Sequence, residues 1–118
     1  MQQPGTALED SQYRYILSIE DIVIDPTDGT SVAGLHTPPN GKTPGKIQIC
    51  GTLNEFDFLA TLTGEVWHAG EFAEEVKIDD KVLHTLARYY SKVIRLNPQY
   101  ARYLGSWARK GPHGRSVR

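Results

Sequence analysis

Hydrophobic and polar positions change their period along the chain, and the changes mark out its elements. From Tyr13 to Ile24, Tyr13, Tyr15, Leu17 and Ile19 alternate with Gln12, Arg14, Ile16 and Ser18, and Ile22 and Ile24 bracket Val23. That period of two suits one or two strands with one face better covered than the other. Asp25-Pro26-Thr27-Asp28-Gly29 follows, and its residues favour a turn. Residues 30–45 hold Pro38, Pro39 and Pro44 with Gly34, Gly41 and Gly45, a composition that reads as a long loop. Lys46–Cys50 returns to alternation, with Ile47 and Ile49 on one face.

Residues 52–68 fit two periods. Thr52-Leu53-Asn54-Glu55 has the form of a capping box, ahead of a helical face of Leu53, Phe56, Leu59 and Ala60. Phe58, Ala60, Leu62, Gly64 and Val66 also alternate with Leu59, Thr61, Thr63, Glu65 and Trp67. The β-branched threonines favour the second period, so the pattern predicts a strand from Phe56 to His68. Glu71–Ile78 then reads as a further strand or a short helix.

From Asp79 the period becomes helical. Asp79 can cap, and Asp80 stands in the first turn at the positive end of the helix dipole. With about 100° between successive side chains, Lys81, His84, Thr85, Arg88, Lys92 and Arg95 share one arc, opposite Val82, Leu83, Leu86, Tyr89, Tyr90, Val93 and Ile94. The apolar side predicts a docked helix whose basic face looks outward. Asn97-Pro98 ends it and opens another, with Tyr100, Ala101, Tyr103, Leu104, Trp107 and Ala108 on the apolar face and Gly111-Pro112 as the stop. The expected architecture is α+β. A small, mostly antiparallel sheet, at about 13–78, is covered by two C-terminal helices, at about 79–96 and 98–110. It forms a single domain over 1–118, with 1–12 and 111–118 as flexible ends.

Charge sharpens this picture. The 118 residues carry 13 Lys and Arg against 14 Asp and Glu, but every acid precedes Lys81 and nine of the bases lie from Lys81 onward. Such asymmetry hints at a polyanion-binding or interaction surface. The leading expectation is a non-enzymatic protein that binds nucleic acid or associates with a nucleoprotein. Lys81, Arg88, Lys92, Arg95, Arg102, Arg109, Lys110 and Arg115 would contact phosphate. The alternative is a small regulator or inhibitor that docks on a larger protein. It would use its basic helices or an acidic face of Glu65, Glu71, Glu74 and Glu75, the latter imitating the charge of a nucleic acid. Opposite charges at the two ends are also compatible with self-association.

Catalytic and metal motifs are incomplete. Gly41-Lys42-Thr43 resembles the end of a phosphate loop, but that motif needs a glycine where His36 stands. Glu65-Val66-Trp67-His68 occurs once, whereas a carboxylate-bridged metal pair needs two such motifs. Were that segment helical, His68 with Glu71 or Glu75 could bind a metal. Cys50, the single cysteine, reads as a small core residue, and His36, His84 and His113 gain no partner from spacing. The expectation is therefore no enzyme, no cofactor and no metal. No basic-apolar leader opens the chain and no apolar run reaches the roughly 18 residues of a spanning helix, so a cytoplasmic protein without a membrane segment is expected.

Overall fold

The structure, a computed structural model, describes residues 6–110 and is an α+β domain. Its strands are β1 (Thr6–Glu9), β2 (Arg14–Glu20), β3 (Val23–Ile24), β4 (Ser31–Val32), β5 (Gly34–Thr37) and β6 (Gly45–Cys50). Three helices follow: α1 (Glu55–Glu74), α2 (Asp80–Leu96) and α3 (Pro98–Lys110). The main sheet has the order β1-β2-β6-β5. The β1–β2 and β5–β6 pairs are antiparallel, and the central β2–β6 pair is parallel. A separate antiparallel pair, β3–β4, is closed by the Asp25–Gly29 turn, where the Asp25 carbonyl accepts from the Gly29 amide at 2.8 Å.

The sheet is smaller at its C-terminal end, and larger at its start, than the pattern predicts. Thr6–Glu9, expected in a loose lead-in, is an edge strand in register with Leu17 through Arg14. The Pro/Gly-rich stretch contains β4 and β5, so its irregular part shrinks to the residues between Thr37 and Gly45. Gly45 is required where it stands. A Cβ there would lie 2.5 Å from the Tyr15 ring and 2.7 Å from the Thr37 carbonyl oxygen.

The strand expected over Phe56–His68 is instead most of α1, a helix of 20 residues. Its cap is Asn54 rather than Thr52, with the Asn54 side chain accepting from the Asp57 amide at 2.8 Å. The false period has a physical cause. Phe58, Leu62 and Ala69 pack on the core of Tyr15, Ile47 and Ile49. Phe56, Ala60, Gly64 and Trp67 lie on the side of α1 turned to α2, where Gly64 lies beside Ala87 and Trp67 meets the Tyr90 ring at 6.1 Å. Two helical series, each stepping by about four residues but offset by two, interleave into an apparent alternation. A helix covered on both sides therefore imitates a strand.

The layers run sheet, α1, α2. It is α1 that covers β5 and β6, while α2 packs chiefly on α1, and α3 chiefly on α2. The two C-terminal helices occupy the spans expected of them but sit outside α1. The Asp79 side chain caps α2 through the Val82 amide at 3.2 Å. Asn97 bonds back to the Val93 carbonyl at 2.8 Å, so its side chain closes α2 rather than opening α3. The Gly111-Pro112 stop lies outside the described residues.

Candidate functional sites on the outer helices and at the α1–β5 seam

Three strips run along α2. Leu83, Ala87 and Ser91 are buried against α1. A second strip, Val82, Leu86, Tyr89, Val93 and Leu96, steps by four and three residues and spans an arc of about 80°. Val82, Leu86, Tyr89 and Val93 were expected on the docked side, yet Val82 is 48%, Leu86 50% and Tyr89 62% exposed, and Leu96 beyond them is 72% exposed. The apolar arc of α2 is wider than the surface α1 offers, and only its inner half is covered. On α3, Tyr100, Tyr103, Leu104 and Trp107 are exposed as well, with the Tyr103 and Trp107 rings edge to face at 5.9 Å.

Lys81, Arg88, Lys92 and Arg95 make the third strip, along one flank of the apolar one. Lys81, Lys92, Arg95 and Arg102 are exposed and form no ion pair among the described residues. Arg88 differs. Its guanidinium reaches Asp57 at 3.3 Å and lies over the Phe56 ring at 4.8 Å, so it ties α2 to α1. Arg109 and Lys110 end α3, and Arg115 lies outside the described residues.

The acidic residues proposed as one face do not share one. Glu74 and Glu75 are exposed, whereas Glu65 and Glu71 are buried at 7% and 9% exposure. Once α1 is a helix, Glu65, His68 and Glu71 follow each other at three-residue steps on its inner side. His68 Nδ1 stands 2.7 Å from Glu71 Oε1, and Glu71 Oε2 accepts from the Ile78 amide at 2.7 Å. The Ile78 amide bond, and then the His68 contact, hold the Glu71 carboxyl below its ordinary value.

This row joins residues that spacing alone left apart. The His36 ring on β5 lies 6.4 Å from that of His68, and the His84 ring on α2 lies 5.5 Å from it on the other side. His36 Nε2 meets the Tyr15 hydroxyl at 3.0 Å. Burial, with His68 beside it, pushes His36 below its ordinary value, against the pull of Glu71. Burial pushes Glu65 up, against the pull of His68. A cavity of about 490 Å³ opens here, lined by Ala33, Gly34, Leu35, His36, Thr61, Glu65, His68 and His84. Among the described residues, no group of three or more His, Cys, Asp or Glu side chains is arranged to hold a metal ion. Cys50, at the end of β6, is half-buried beside the Thr52 hydroxyl at 3.1 Å.

The chain matches no protein family, no curated protein and no solved structure. No helix among the described residues is long and apolar enough to cross a membrane.

Proposed function

We propose that this protein is a non-enzymatic interaction module that docks on a larger protein through the outer face of α2 and α3. The observation that carries the reading is the strip of Val82, Leu86, Tyr89 and Leu96, at 48–72% exposure on an ordered helix. Monomeric proteins seldom expose a contiguous apolar patch of more than a few hundred Å², and larger ones mark binding surfaces. Anchors at four- and three-residue steps are the form in which a helix enters a groove or lies along another helix. Lys81, Lys92, Arg95 and Arg102 give the face a cationic rim with no acidic side chain from Lys81 onward, so an acidic partner surface is its complement.

A second reading is nucleic acid, favoured by exposed Tyr89, Tyr100, Tyr103 and Trp107 among those bases. The aliphatic members of the strip weigh against it, because Val82, Leu86 and Leu96 gain nothing from a phosphate backbone.

The test is a nuclease-treated pull-down with the native chain and with L86E/L96E. The native chain is expected to retain one stoichiometric protein, and L86E/L96E is expected to lose it while keeping the native circular dichroism. Equal retention by both would remove this face from the function.

A further inference from the structure

The cavity at the α1–β5 seam lies on the opposite side of α2 from the exposed strip, so it stands apart from the docking face. Glu65 enters it from α1 with 7% of its surface exposed and with neither a hydrogen bond nor an ion pair to any described residue. A carboxyl that is buried without a partner is costly, and in a native fold such a group calls for an unseen counterpart. The tight seat is built from the sheet side. A Cβ at Gly34 would lie 3.0 Å from Glu65 Cγ and 2.6 Å from Thr61 Cγ2, so β5 presses its bare backbone against this turn of α1.

The neighbours of Glu65 set the chemistry of that counterpart. Glu71 accepts from the Ile78 amide, and its other oxygen holds His68 Nδ1, so in the tautomer with the proton on Nδ1 the ring lone pair lies on Nε2. His84, exposed at the mouth, has no hydrogen bond to a described residue. Among the described residues no Lys or Arg lines the cavity. The described lining thus offers one carboxyl, one hydroxyl and imidazole nitrogens with no cationic Lys or Arg to balance an anion, which disfavours an anion. A metal ion needs its ligand atoms to converge at about 2.1 Å, and no such group is in place. Hydrogen bonds of about 2.8 Å from a donor with several N–H groups ask for less convergence. The cavity, at about 490 Å³, is in the size range of small-molecule sites.

We propose that this cavity binds a small organic cation through a primary ammonium group, with the Glu65 carboxylate as its counter-ion and the His68 and His84 imidazoles as further acceptors. The ammonium supplies both what Glu65 lacks, a charge and a donor. The alkyl part of the ligand would leave through the mouth beside His84.

The full chain is titrated with n-butylammonium chloride while the histidine ring resonances are followed by NMR. Tetramethylammonium chloride supplies charge without N–H donors, sodium butyrate tests an anion, and zinc chloride tests a metal. Saturable shifts of His68 and His84 with n-butylammonium are expected, at least tenfold weaker in E65Q and several-fold weaker in H84A, with no saturation by tetramethylammonium or butyrate. Because His84 is exposed, H84A reads the site even should E65Q lose the fold. Three results would each overturn the proposal: no saturable shift with n-butylammonium, equal binding by both variants, or saturation by zinc or butyrate in place of the amine.

Discussion

At the scale of single residues, Glu71 ties its own helix to the segment that follows it. It clamps His68 from within α1 and accepts from the Ile78 amide in the link to α2. Replacing it by Ala should cost about 2 kcal/mol, since bonds to a charged acceptor are lost at a largely covered position. A lower urea midpoint at neutral pH would register that loss. The sign of the pH dependence follows from three groups. Glu71 lies below its ordinary 4.5, so its contribution is present above that value and lost as pH falls through its folded value. His36 lies below its ordinary 6.5, so its contribution is also present above that value and lost on acidification. Glu65 lies above 4.5, so it works the other way, and its contribution is lost as pH rises. The stability of E65Q relative to the native chain should therefore grow from pH 4 to pH 8, read from urea midpoints at each pH. A difference that shrinks with pH would contradict the burial of Glu65. Gly45→Ala should destabilise by about 1–3 kcal/mol, because the Thr37 carbonyl it would strike is backbone and cannot rotate aside.

Among the elements, α2 holds the molecule and presents a surface at once. Its inner strip of Leu83, Ala87 and Ser91 is closed, with the Ser91 hydroxyl returned to the Ala87 carbonyl at 2.7 Å. Its outer strip is open. Substitutions on the two should differ in kind. Leu83→Ala should cost about 2–5 kcal/mol as a fully covered position. Leu86→Glu and Leu96→Glu should stay within about 0.5 kcal/mol of the native stability. Thermal melts of the three variants would check this, and a collapse of L96E would mean that its side chain is covered. Arg88→Ala belongs with the first group in direction, because Asp57 and Phe56 both lose their contact with the guanidinium, although this exposed pair contributes under about 1 kcal/mol.

For the whole molecule, the split of charge governs association. Two copies stacked antiparallel, strip to strip, would bring their cationic flanks together, whereas an acidic partner would neutralise them. Salt should therefore act in opposite directions, weakening an acidic partner and strengthening any self-association. Sedimentation at low and high salt would separate the two. If nucleic acid were the partner and about four bases engaged, log affinity would fall with log salt at a slope of roughly −3 to −4. A flat salt profile with an oligonucleotide would leave the protein-docking reading.

Much of this was legible without a third dimension. The 3.6-residue period, Asp79 and Pro98 place α2 and α3, and alternation places β2 and β6, because each signal lies within a few neighbouring residues. The concentration of bases in α2 and α3 is likewise a property of order along the chain. Three things required the packed chain. Residues 56–68 became a helix because both its sides are covered, which no window along the chain reveals. Glu65 and Glu71 went inward, and His36, 48 positions before His84, came to share a cavity with it. The broad apolar arc of α2 was half closed and half left open. Periodicity tells which side chains share a face, whereas burial depends on what a distant segment lays against that face.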